Sequence, residues 1–249
     1  MGVRLAIACG LLGACGRVHF DAPRDGDGDG DGGAVGDANP DSSAVRGAVH
    51  YVDTLEADDA GMTSNTSFTL VAAASGDGVV IFVGCANATA PTSVTLTAPG
   101  WSFADVVPLY GDTGVQMFGA AFFAIAPDGV ATTASVTWDI TCTDIIELAD
   151  SFRADAGTVT VDAAGGLAVD GSCNVATRSH HDTVTAWSAC LAGNAITSTG
   201  NGFTMSADDG VGDWAEYKVT TDPSGTNEAS SFVVTPNPSS AVIVTLAAL

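Results

Sequence analysis

From residue 49 to the C-terminus the chain is a succession of short apolar runs, in which β-branched and aromatic residues tend to occupy alternate positions. This alternation is typical of β-strands with one buried face, and turn signals such as APDG, DPSG and PNPSS separate the runs. No stretch keeps a 3.6-residue apolar period long enough to indicate a helix. The pattern predicts strands at 67–74, 78–86, 93–99, 115–126, 134–142, 145–154, 158–163, 182–192, 202–207, 213–221, 229–236 and 240–249.

A dozen strands with no helices between them predict an all-β fold, an antiparallel β-sandwich or jelly roll. The two halves of the region also resemble each other. VVIFVGCANA at 79–88 aligns with TVTAWSACLAG at 183–193, and a glycine–aromatic pair follows each, at Gly100-Trp101 and at Gly202-Phe203. Because each copy is small for a sandwich, we expect one closed two-sheet domain over 49–249.

The N-terminus has the order of an export signal over residues 1–14, with Arg4 before an apolar run and small residues after it. The apolar run is too short to span a membrane. Residues 12–15, LGAC, resemble the bacterial lipobox, which implies cleavage before Cys15 and acyl chains on that cysteine. An ordinary secretory signal is the alternative. By resemblance to enterobacterial lipoproteins, Gly16 favours the outer membrane.

Residues 15–48 are rich in Asp, Gly, Ala, Pro and Ser and predict a disordered, extended linker. Its segment RDGDGDGDGG suggests a calcium loop, but counting from Asp25 the twelfth position is Gly36 rather than glutamate, so we predict no such site. The whole chain has 29 acidic and 7 basic residues and a formal net charge of −22. This charge balance excludes nucleic acid as a partner.

Four cysteines lie in the predicted domain, and an even number in an exported chain suggests two disulfides. Three pairings are open. We favour Cys85 with Cys142 and Cys173 with Cys190, since each pair then closes within one half. A zinc site is the competing interpretation, but close C-x-x-C spacing is absent, and we predict neither metal nor cofactor.

Two clusters of titratable residues suggest catalysis, and for both we favour a non-catalytic interpretation. RSHHD at 178–182 reads as a solvated loop, because adjacent histidines on a strand point to opposite faces and no G-x-S-x-G turn is present. His180 and His181 share a metal only if a loop bends them together. Glu147 and Asp150 resemble a glycosidase pair, but residues three apart on a strand face opposite sides, so we expect acids that are solvated or paired within a turn.

The four tryptophans divide into two groups. Trp138 and Trp187 lie within apolar runs and are expected in the core. Trp101 and Trp214 follow Gly-rich turns and are candidate ligand-binding residues, since exposed aromatic rings stack on sugars.

The folded region is similar to a recurring bacterial exoprotein module with "GW" and "yykva" strands and no assigned function. The linker and lipobox resemble those of acidic, glycine-rich surface lipoproteins of myxobacteria. The linker and lipobox imply a lipoprotein anchored in the outer membrane by acyl chains on Cys15, and neither resemblance implies an activity. Because the sequence shows no nucleophile or metal constellation, we favour a binding or structural domain that serves adhesion or contacts a glycan or an envelope protein. The alternative is an extracellular hydrolase acting on envelope or polymer substrates.

Overall fold

The computed structural model describes residues 47–70, 74–127, 129–170, 173–193, 196–209, 213–221, 223, 225–234 and 238–249. Within these ranges the chain forms sixteen β-strands and no helix, and every strand pairing is antiparallel. The predicted all-β, antiparallel sandwich is therefore confirmed. None of the described residues belongs to a helix that is long and apolar enough for a membrane span.

The first half contains eight strands in two sheets. A five-stranded sheet has the order β1-β8-β3-β6-β5, and a three-stranded sheet has the order β2-β7-β4. The strands are β1 (Val49–Asp59), β2 (Thr63–Leu70), β3 (Gly78–Ala86), β4 (Val94–Thr97), β5 (Ala104–Asp112), β6 (Met117–Ile125), β7 (Thr132–Cys142) and β8 (Asp144–Ala154).

The second half repeats this topology strand for strand. Its five-stranded sheet has the order β9-β16-β11-β14-β13 and its three-stranded sheet the order β10-β15-β12, so each strand number is that of the first half plus eight. The internal repeat indicated by the sequence is thus confirmed. The strands are β9 (Val159–Asp170), β10 (Cys173–Arg178), β11 (Val184–Ala192), β12 (Ile196–Ser198), β13 (Thr204–Asp208), β14 (Trp214–Thr220), β15 (Asn227–Val234) and β16 (Pro238–Ala248).

The glycine–aromatic pairs occupy equivalent turns in the two halves. Gly100 and Gly202 have φ angles of +80° and +78°, a region that glycine enters without steric cost. The backbone N–H of the following aromatic residue closes each turn, from Trp101 to the Ala98 carbonyl at 3.2 Å and from Phe203 to the Gly200 carbonyl at 3.1 Å.

The described residues form three apolar cores, which hold the sheets together. One core lies between the sheets of the first half and includes Phe68 and Trp138, and another lies between the sheets of the second half and includes Phe232. The third joins the two five-stranded sheets and includes Phe82 and Trp187. The expected single pair of sheets is therefore wrong: each half closes around its own core, and the halves then pack face to face.

The first and last residues of the domain lie at one end of the molecule, and the C-terminal end of β3 lies at the opposite end. Gly78 at the start of β3 pairs with Phe152, Val49 pairs with Ala154, and Leu249 exchanges backbone hydrogen bonds with Thr158 at 2.8 and 2.9 Å. The start and the end of the domain are thus both at this end. The last residue of β3 lies about 27 Å away, at the opposite end, because a strand rises about 3.4 Å per residue.

Candidate binding face

Both disulfides join the two sheets within a half. Cys85 on β3 is bonded to Cys142 on β7, and Cys190 on β11 is bonded to Cys173 on β10, with Cα atoms 5.6 and 6.0 Å apart. The favoured pairing is therefore present in the structure. All four cysteines are fully buried, so each bridge braces a core.

The outward side of the three-stranded sheet β2-β7-β4 carries a regular array of small polar side chains. Strand alternation directs every second residue outward, and the register places those residues in rows. We call these eight residues the hydroxyl face. They form the rows Asn65–Thr137–Thr95, Ser67–Ser135–Thr97 and Thr69–Thr133. Neighbours within a row are about 4.8 Å apart, and rows are separated by roughly 6.8 Å.

The hydroxyl face has no charged side chain among its eight residues, although the chain has a net charge of −22. Seven of the eight are exposed, and Ser135 is half-buried. Thr95 donates to the Thr137 carbonyl at 3.4 Å and the Asn65 amide to Ser64 Oγ at 3.0 Å. The remaining hydroxyls make no hydrogen bond to described residues, so they are available to a ligand.

A shallow hollow of about 410 Å³ lies in the hydroxyl face, between Asn65 and Ser67 on β2 and Ser135 and Thr137 on β7. The face rests on a rigid support, because the opposite side of the same sheet packs into the first-half core through Phe68. A face of this kind presents hydroxyl donors and acceptors at fixed spacing.

The equivalent sheet of the second half has a different outward side. Its described exposed residues include Thr197 and Ser198 on β12, but an arginine and two alanines interrupt the polar set on the other two strands: Asn174, Ala176 and Arg178 on β10, and Asn227 and Ala229 on β15. The hydroxyl face is therefore a property of the first copy and not of the shared fold.

Asp139 limits the hydroxyl face at one end, on the same side of β7 as Thr137. Its carboxylate accepts hydrogen bonds from the Thr92 hydroxyl and from the backbone N–H groups of Thr92 and Ser93. These bonds, the Thr92 hydroxyl foremost, lower the pKa of Asp139 below its ordinary value. The carboxylate anchors the start of β4 and thereby fixes the register of the face.

The RSHHD segment leaves β10 and forms a loop, as predicted, and the loop brings its two histidines to one acid. Residues 180–183 form a bend, so both imidazoles reach one carboxylate, that of Asp162 on β9. The His181 ring contacts Asp162 Oδ1, and the His180 ring contacts the Asp162 carbonyl oxygen at 3.0 Å. Asp162 is the extra residue of a β-bulge, since its neighbours pair with consecutive residues of β16, and bulges re-aim side chains in this way.

Glu147 and Asp150 point to opposite sides of β8, as expected, but the expectation that they are solvated or paired within a turn is wrong. Glu147 faces the first-half core, where the Thr66 hydroxyl donates to it. Asp150 lies between the two halves and accepts hydrogen bonds from Trp187, Thr54 and Ser206. Burial raises the pKa of Asp150 to about 6 despite these bonds. The two acids share no site.

The tryptophans of the core are placed as predicted, with Trp138 and Trp187 at 2% and 0% exposure. Trp101 and Trp214 are both half-buried, and each packs against the core of its own half. Trp101 stacks on Phe103 with ring centroids 5.7 Å apart. Since they lie in different halves, the structure does not bring the two candidate binding residues together.

Within the described ranges, no group of three or more His, Cys, Asp or Glu side chains is arranged to hold a metal ion. Cys15, the signal and linker segments and the RDGDGDGDGG run lie outside the described residues. No protein-family model, curated protein or solved structure matches the chain.

Proposed function

We propose that the chain is an outer-membrane lipoprotein whose β-sandwich domain binds a neutral glycan through the hydroxyl face. The observation that carries this proposal is the set of three uncharged rows on β2, β7 and β4 in a strongly acidic chain. A binding surface for a charged polymer usually has side chains of the opposite charge, and none of the eight residues of this face is charged. A neutral ligand therefore fits the face better.

Sugar hydroxyls both donate and accept hydrogen bonds, as do the side chains of serine, threonine and asparagine. The hydroxyl face therefore matches a polyhydroxylated surface without leaving a buried polar group unpaired. Because the contact is broad and shallow, it suits an extended polymer chain better than an isolated sugar.

The anchor is supported by the sequence. The lipobox-like residues 12–15 and the acidic linker to residue 48 fit a protein held at a membrane by acyl chains on Cys15.

A hydrolase is the second candidate, and one observation favours it: the buried carboxylate of Asp162 orients the ring of His181, as in a general base. However, Asp162 is the one residue among those described that is hydrogen-bonded to the His181 ring, so no nucleophile is engaged there. Binding is therefore the function that the geometry supports better.

The experiment is a depletion assay of the full-length chain on two insoluble neutral polysaccharides, chitin and cellulose. The test variant replaces three hydroxyls of the face, Thr95→Val, Thr133→Val and Thr137→Val, because valine keeps the shape and the strand preference of threonine. The bound fraction is expected to fall at least tenfold on the polymer that the wild type binds.

Thr204→Val serves as the matched control, since Thr204 is exposed on β13 of the second half. Its binding should equal that of the wild type. Binding of wild type to neither polymer, or equal binding of the triple variant, would overturn the proposal.

A further inference from the structure

A cleft of about 320 Å³ lies where the two halves meet, at the end of the molecule opposite Val49 and Leu249. We call it the tip cleft. Asn87, Val115, Gln116, Met117 and Thr143 line it from the first half, and Pro238 lines it from the second. None of the described residues that line it has a charged side chain. Junctions between folding units are common places for ligand sites.

Disulfides brace the tip cleft on both sides. Cys85 and Cys142, which are bonded to each other, are each followed within two residues by a lining residue, Asn87 and Thr143 respectively. On the second half, Cys190 lies three residues before Gly193, which also lines the cleft. A cleft whose walls are fixed in advance loses less conformational entropy when a ligand binds.

Gln116 is the one non-glycine residue with a positive φ angle among the described residues, at +60°. A left-handed backbone is uncommon for a residue with a Cβ atom and indicates local strain. Backbone hydrogen bonds hold the strained turn, from Gln116 to Asp112 at 2.8 Å and from Asn87 to Gln116 at 2.9 Å. Glycine would adopt this backbone conformation at lower cost, so substitution by glycine removes the side-chain amide without adding strain.

The tip cleft is connected to the hydroxyl face. Thr141 lies on β7 on the same side as Thr137 and Asp139, and its carbonyl oxygen accepts a hydrogen bond from the Asn87 amide. A polymer chain that lies along the face and extends past Asp139 therefore reaches the cleft at the tip.

We propose that the tip cleft binds an N-acetylated neutral sugar unit of the glycan that the hydroxyl face contacts. The exposed primary amide of Gln116 both donates and accepts, as an acetamido group requires of its partner. Val115, Met117 and Pro238 supply an apolar wall for the acetyl methyl group. The volume lies at the lower end of the range for ligand sites, which fits one or two sugar rings. This inference deepens the proposed glycan binding and rests on it.

The test titrates the full-length chain with N-acetylglucosamine and with its β-1,4-linked dimer, using isothermal calorimetry and NMR. Glucose is the matched probe, because it lacks the acetamido group. The acetylated sugars are expected to bind at least tenfold more tightly than glucose. Gln116→Gly should weaken this binding at least tenfold while the thermal midpoint of unfolding stays equal or rises, which separates ligand contact from folding.

The triple valine variant of the hydroxyl face distinguishes the two proposals, because its titration with the soluble sugars should be unchanged. Equal affinity for glucose and N-acetylglucosamine, or undiminished binding by Gln116→Gly, would refute the tip-cleft proposal. If polysaccharide depletion by the wild type persists in that case, the hydroxyl-face proposal stands alone; if depletion is absent as well, both fail.

Discussion

The indole Nε1 of Trp187 donates a hydrogen bond of 2.6 Å to the carboxylate of Asp150, across the interface between the two halves. Thr54 of the first half also donates to this carboxylate, at 2.9 Å, and Ser206 of the second half donates to it as well. A single fully buried acid thus links strands of both five-stranded sheets. Buried networks of this kind fix one packing arrangement when every member is paired.

Asp150→Asn is expected to remove a pH-dependent part of the stability. The pKa of Asp150 rises from 3.8 to about 6, so the folded state binds its proton more tightly than the unfolded state does. The free energy of unfolding should therefore fall as pH rises from about 4 to about 7, by roughly 2 to 3 kcal/mol from this group. Asparagine should flatten this slope and leave the domain at least as stable as wild type at pH 7.

Urea denaturation at pH 4.5, 6 and 7.5 measures the Asp150 effect. Asp105→Asn, at an exposed position on β5, is the control and should keep the wild-type slope. A variant with the same pH dependence as wild type would show that Asp150 is not the responsible group.

Glu216→Gln tests a second buried acid, inside the second half. Burial raises the pKa of Glu216 from 4.5 to about 7, and Oε2 accepts a hydrogen bond from the Gly200 N–H at 2.7 Å. Oε1 has no hydrogen-bond partner among the described residues. The folded state again holds the proton more tightly, so stability should fall as pH rises through 5 to 7. Glutamine is neutral at every pH, so the variant should not lose this part of the free energy of unfolding. Hydrogen exchange of the β14 amides at pH 8 should therefore be slower in Glu216→Gln than in the wild type.

Removal of the two disulfides is expected to have unequal effects. The bridges span 57 and 17 residues along the chain. In the chain-entropy account, the longer loop contributes about 4 kcal/mol and the shorter about 3 kcal/mol. The double variant Cys85→Ala/Cys142→Ala should therefore unfold at lower denaturant than Cys173→Ala/Cys190→Ala. Guanidinium titrations of both variants make the comparison, and a reversed order would mean that packing rather than chain entropy dominates.

Cys15→Ala tests the proposed anchor. Metabolic labelling with an alkyne analogue of palmitate, in a bacterial host with lipoprotein processing, should label the wild-type chain and leave the variant unlabelled. Cys9→Ala is the matched control and should retain the label. Equal labelling of wild type and Cys15→Ala would exclude lipidation at Cys15.

Much of the fold follows from local pattern. The central strands β3 and β11 have almost unbroken apolar sequences, and their predicted ranges agree with the structure to within two residues at each end. The sequence pattern does not predict strand β5, because Pro108 and two register shifts interrupt its alternation. The three-residue strand β12 is too short to show any alternation.

The candidate face depends on pairing that no local pattern contains. Alternating threonines on β4 and β7 indicate outward positions, but their alignment with β2 joins residues about seventy positions apart, such as Asn65 and Thr137. The contact of His181 with Asp162 depends on a bulge, which shifts one side chain out of the regular alternation. Sequence periodicity predicts the face of the strand on which a side chain lies. Only the pairing register of the folded sheet shows which side chains are its neighbours.

The two disulfides also contain information about the history of the chain. Cys85 and Cys190 occupy equivalent positions on β3 and β11, but their partners lie on strands that are not equivalent, β7 in one half and β10 in the other. Had one ancestral unit carried the bridge before it was duplicated, both copies would have inherited the same partner strand. If the two halves arose by duplication, at least one bridge was therefore acquired after it, and the shared core between the five-stranded sheets depends on neither bridge having a counterpart in the other half.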